Sequence, residues 1–238
     1  MGDRASPTHM MQKLLILLLA TLELTSLSAR SESFAPPSNS FDLRDWKINI
    51  PGPVEIKALQ GYASKYFELS AGKEMCFHLD AAEKGTTPNT HFVRSELRHL
   101  PNWRANESHA LSAVVHTDSH LSPDKVTVVQ IHGMTDDKKN APPLLRVALN
   151  DGDLVAIIKT DSAGTQNDTT MLVKGLGPKP VKIDVVVEGG QLKVLADGQL
   201  KVTRSLAFWP YQNYFKAGCY PQATNGTVDV MFSSLSAK

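Results

Sequence analysis

Two cysteines in 238 residues, Cys76 and Cys219, are too few to staple a small disulfide scaffold. Excess charge of one sign is also missing. With 25 basic residues against 24 acidic ones, the chain carries no overall basic field of the kind nucleic-acid binders use, and no nucleic-acid partner is expected. Long apolar runs are confined to one place near the N-terminus, and no stretch sustains a helical period. Internal repeats and low-complexity segments are absent as well. What remains is a neutral chain with 42% hydrophobic residues, enough to bury a substantial core in one domain.

Near the N-terminus Lys13 precedes an apolar run at 14–20, and the small residues Ser26, Ser28 and Ala29 follow. This is the order of a cleavable secretory signal peptide, and the run is shorter than the roughly 20 residues a membrane span needs. Residues 1–30 therefore read as an N-terminal extension and signal peptide, 31–40 as a short linker, and 41–238 as a single domain. A secreted, extracellular monomer with no membrane contact after signal removal is expected. Acceptor sequons at Asn106, Asn167 and Asn225 suit the same route. Whether Cys76 and Cys219 pair there is open, since strand alternation puts Cys219 on an apolar face where a free thiol packs as a small hydrophobe.

Along the domain the hydrophobic period is two. Strands are predicted at 66–69, 75–79, 92–100, 110–117, 125–133, 144–149, 154–159, 181–188, 191–196, 199–205, 214–220 and 227–235. Asp151-Gly152, Gly189-Gly190 and Asp197-Gly198 are hairpin signals between them, and a turn or two of helix is expected within 53–63. Many short antiparallel strands imply an all-β sandwich, jelly roll or barrel.

Three of the predicted strands carry unusual polarity: Arg94-Ser95-Glu96-Leu97-Arg98, Gln130-Ile131-His132, and the run from Tyr214 through Lys216, Cys219 and Tyr220 to Gln222. Alternation gathers Arg94, Glu96, Arg98, Gln130, His132, Tyr214, Lys216, Tyr220 and Gln222 on one face. Leu97, Ile131, Phe215, Ala217 and Cys219 fall on the other. A sheet that is apolar beneath and cationic above suits an anionic ligand in an open groove.

These segments are similar to the motifs of alginate lyases of polysaccharide lyase family 7, which read R-S/T-E-L-R, Q-I/V-H and Y-F-K-A-G-x-Y-x-Q in this order. The run Trp46-Lys47-Ile48-Asn49-Ile50-Pro51 resembles that family's first strand, so the likeness spans about 41–238. The resemblance implies a β-jelly roll of two antiparallel sheets with a concave substrate groove. It also implies a polysaccharide lyase that cleaves the 1,4 bonds of alginate by β-elimination, with no cofactor and no metal. Isoleucine at position 131 leans the expectation toward guluronate-containing links.

The chemistry explains the residue types. Removing the C5 proton of a uronate requires donors that offset charge building on the adjacent carboxylate, a task suited to Arg94, Gln130 and His132. A base must take the proton, and an acid must protonate the departing oxygen. Tyr220 suits the acid role because a phenol keeps its proton at neutral pH. By the resemblance, Tyr220 does both jobs for mannuronate, whereas His132 is the base for guluronate. Arg94, Gln130, His132 and Tyr220 are thus the expected catalytic set, and Glu96, Arg98, Tyr214, Lys216 and Gln222 the expected substrate-binding set. Glu96 is also placed to order the two flanking arginines.

Three alternatives compete with this reading. A lyase on another polyuronate such as glucuronan uses the same groove, and a non-catalytic jelly-roll carbohydrate binder keeps the cations but has no need of His132 and Tyr220 together. A hydrolase normally needs two carboxylates, and this face offers Glu96 alone. His116, Asp118 and His120 would share a face and ligate a metal if their strand continued, but a turn at Asp118-Ser119 is expected instead.

Overall fold

Among the described residues, alternating apolar and polar positions place fifteen strands, numbered in chain order, in two antiparallel sheets. The computed structural model describes residues 33–52, 54–85 and 91–238, and the expected signal segment lies outside them. Phe34–Lys238 forms one compact unit.

The front sheet runs β10 (Asn167–Val173), β9 (Asp153–Lys159), β8 (Asn140–Asn150), β7 (Lys125–Met134), β14 (Gln212–Pro221), β5 (Ser95–His99), β1 (Trp46–Ile50) and β2 (Val54–Ile56). The back sheet runs β13 (Gln199–Ser205), β12 (Gln191–Ala196), β11 (Val181–Glu188), β6 (His109–Ser119), β15 (Thr227–Ala237), β4 (Met75–Asp80) and β3 (Glu68–Leu69). Strands distant in sequence lie side by side in both, giving the two-sheet jelly roll that the sequence implied.

The core lies between the sheets. In β11, Val181, Ile183, Val185 and Val187 are buried while Lys182 and Glu188 are exposed, which is why this segment forms a half-buried strand. Phe77 of β4 and Phe232 of β15 meet edge to face at 5.6 Å, and β14 of the front sheet packs over both strands. Leu97, Ile131, Phe215, Ala217 and Cys219 form the apolar underside of the front sheet and are fully buried, as alternation required. Both cysteines are free thiols.

The three expected dipeptides close the β8/β9, β11/β12 and β12/β13 hairpins. Two strands escaped the sequence reading. β10 is mostly exposed and carries no apolar alternation, while β2 is only the three residues Val54-Glu55-Ile56, too short to show a period, and occupies part of the segment where a turn was expected. Nor does the strand at His116 stop near Thr117 and turn at Asp118-Ser119. Asp118 pairs with Asp229 on β15 and β6 continues to Ser119, while His116 reaches Glu74 at 3.3 Å. Within the expected linker, Pro37–Asn39 forms a 3-10 turn with Pro37 buried, and the Leu69 amide donates to the Ala35 carbonyl at 2.7 Å.

Candidate active site

The site is built on β5, β14 and β7, neighbours in the middle of the front sheet. Lys216 is paired with Arg98 on one side and Gln130 on the other, and Tyr214 is paired with His132. Residues more than a hundred positions apart in sequence are thereby brought onto one face.

Directly across from Glu96 stands Gly218, which has no side chain, so the diagonal neighbour Lys216 reaches the Glu96 carboxylate. A Cβ on Gly218 would lie 2.6 Å from the Ser95 carbonyl oxygen and 2.8 Å from the Glu96 Cα, so only glycine permits this approach. The second Glu96 oxygen accepts from the Gln130 side-chain amide. Glu96, Gln130 and Lys216 are 1%, 2% and 4% exposed. Burial pushes the Lys216 ammonium below its ordinary range, and Glu96 opposes that shift.

Glu96 and Lys216 form a buried ion pair beneath the groove, and one expectation is corrected: the partners of Glu96 are Lys216 and Gln130 rather than the flanking arginines. Bonding to a carboxylate also fixes the Gln130 amide, since its NH₂ must face Glu96.

Above this layer opens a cavity of about 560 Å³ lined by Arg94, Gln130, His132 and Tyr220, so the four expected catalytic residues meet there. The Arg94 guanidinium lies over the Tyr220 ring, 4.6 Å from its centroid. His132 Nδ1 is 3.0 Å from the Gly133 carbonyl oxygen and 3.1 Å from the Tyr214 hydroxyl. A carbonyl only accepts, so Nδ1 carries the proton and Nε2 is left with the lone pair. Burial, followed by the Lys216 charge, lowers the His132 pKa to about 4, which keeps the imidazole neutral near pH 7. The site therefore combines a neutral imidazole, a phenol and a guanidinium around one space.

Three other expected substrate residues act partly as supports. The Tyr214 ring stacks on His132 with centroids 5.2 Å apart, and the Arg98 guanidinium lies 4.1 Å from the Tyr214 centroid while donating to Asn102 at 2.7 Å. Gln222 accepts from the Thr127 hydroxyl at 2.9 Å and donates to the Tyr220 carbonyl, bracing the backbone that carries the phenol.

The sequence reading missed the opposite wall. Asn140, Ala141, Pro142 and Pro143 at the start of β8, together with Arg146 and Lys159, complete the cavity lining. Their approach depends on Gly133, where a Cβ would lie 2.7 Å from the Pro142 carbonyl oxygen. The one available signal for Arg146 was a lone charge between the apolar Leu145 and Val147.

Against known proteins, the chain matches the family model described as Alginate lyase over residues 41–238. Alginate lyase A1-II', a member of polysaccharide lyase family 7, is similar with a TM-score of 0.80 at 29% identity, covering 86% of this chain and 98% of that one. A variant of A1-II' in complex with product (GGG) shares 31% identity at a TM-score of 0.79, covering 87% and 99%. Alginate lyase PA1167 from Pseudomonas aeruginosa shares 25% identity at a TM-score of 0.74, covering 83% and 99%. No curated protein matches the chain.

Proposed function

The chain belongs to the alginate lyase family and is a polysaccharide lyase, and we propose that it breaks the 1,4-glycosidic bonds of alginate by β-elimination, favouring guluronate-containing links. The observation that carries this reading is the neutral His132, with its Nε2 lone pair, in one cavity with Arg94, Gln130 and Tyr220.

The uronate carboxylate is held by the Arg94 guanidinium and the second amide N–H of Gln130, which offset charge as C5 loses its proton. At guluronate, His132 Nε2 takes that proton while the Tyr220 hydroxyl protonates the C4 oxygen as it leaves. The C5–H electron pair becomes the C4=C5 double bond, the C4–O bond breaks, and a new reducing end departs with the proton from Tyr220. At mannuronate, where proton and leaving group share a side, Tyr220 serves both steps. Glu96 and Lys216 touch no sugar in this scheme; they hold Gln130 in place.

The guluronate preference is supported by Ile131, which is buried in the core and so acts through the placement of Gln130 and His132. Secretion is supported by the order of charged, apolar and small residues within 10–29. Incubation of the purified protein with polyguluronate, polymannuronate and glucuronan, followed by ultraviolet absorbance, tests the activity. Rising absorbance from the conjugated double bond is expected, fastest with polyguluronate. No rise on any of the three would refute the reading.

A further inference from the structure

We propose that Arg146 of β8 and Lys159 of β9 form a second carboxylate subsite, which holds the uronate units next to the one that reacts. This rests on the lyase reading above.

Position is the first argument. Arg146 is paired in register with Gln130, one strand further from Arg94, and Ile157 of β9 is paired with Arg146. Ala156 and Ile158 are buried in the core, so alternation turns Ile157 and Lys159 toward the cavity, which Lys159 and Arg146 both line. Strands stand about 4.8 Å apart, close to the advance of one ring in a 1,4-linked pyranose chain. A polymer crossing the strands, with one carboxylate at Arg94 and Gln130, therefore presents the next units over β8 and β9.

Charge is the second. Lys216 is committed to Glu96, and Arg98 donates to Asn102 and to the His99 and Leu100 carbonyls. Among the described residues neither Arg146 nor Lys159 forms an ion pair. Asp161, the acid whose charge favours the Lys159 ammonium, already accepts from the Thr165 hydroxyl and from the Thr165 and Gln166 amides. Burial and then the Arg146 charge disfavour that ammonium, so two like charges share a partly desolvated space. A carboxylate relieves both. The Arg146 fork can take two carboxylate oxygens at once, whereas Lys159 supplies a point charge.

The test compares wild type with Arg146→Gln, Lys159→Gln and Arg146→Lys on polyguluronate and on short guluronate oligomers across a salt series. For each Gln variant the expected result is a KM for the polymer raised about tenfold, with kcat held within about twofold. The salt dependence of kcat/KM should flatten, Arg146→Lys should regain part of the loss, and oligomers too short to reach β8 should show no difference. Unchanged KM and salt slope in both folded Gln variants would overturn the subsite. A fall in kcat at constant KM would overturn it too, by moving Arg146 into the reaction itself. If wild type forms no unsaturated product, the lyase reading fails first and the subsite fails with it.

Discussion

The Glu96 carboxylate and the Lys216 ammonium form an ion pair across β5 and β14 that is 1% and 4% exposed, and Glu96 also holds the Gln130 amide. Removing one partner of such a pair leaves an uncompensated buried charge, at a cost of about 3–5 kcal/mol. Lys216→Met should therefore lower unfolding free energy by that order in urea titrations, and adding Glu96→Gln should recover part of the loss. Additive losses in the double variant would show that the two side chains are not coupled.

The low pKa of His132 sets a pH window. Its imidazole titrates at about 4 in the folded chain, because burial and Lys216 disfavour the cation, and near 6.5 when unfolded. Between those values the unfolded chain binds more protons, so the contribution of neutral His132 to stability is full above about pH 6.5 and is lost as pH falls through 4. The acidic limb of kcat/KM on polyguluronate should accordingly lie nearer pH 4 than pH 6.5. A limb at 6.5, matched by His132 titration in NMR, would contradict the buried neutral base.

Tyr220→Phe keeps the ring beneath Arg94 and removes only the hydroxyl. Loss of a proton-transfer group reduces turnover by about 10²–10⁴-fold. The expected kinetic result is a kcat lower by that range with the KM for polyguluronate little changed. Full activity would remove Tyr220 from the proton steps.

Gly218 has φ 145° and faces Glu96 at a distance no side chain tolerates. In Gly218→Ala the methyl group meets backbone of β5, which cannot move aside without shifting Arg94 and Glu96. A stability loss of about 1–3 kcal/mol is expected, with a fall in activity beyond what unfolding explains. Thermal melts and assays well below the melting temperature separate the two effects.

Local physics explains what was readable in the chain. The bounds of β11, β12 and β13 agree with the alternation, and their hairpin dipeptides sit at the joins, because pleat and turn geometry are short-range. The same alternation sorted Leu97, Ile131, Phe215, Ala217 and Cys219 to the core and gathered the polar residues opposite. Exposed β10 lacks that pattern, and β2 is too short, at three residues, to display it.

Alternation assigns a face but not a depth. On one polar face, Glu96 and Lys216 lie buried while Arg94, His132 and Tyr220 line the cavity, a division set by Gly218 and by the strands on either side. Strand order is equally invisible along the chain. Only the placement of β8 beside β7 and of β9 beside β8 brings Arg146 and Lys159 to the site, so two charges that are isolated in the sequence come to share a cavity with His132. Sequence alone determined the two-residue period, the turns and the chemical types of the site residues, because these depend on adjacent positions; which residues reach a ligand and which support those that do was decided by the tertiary structure, because depth and neighbourhood depend on pairing across the sheet.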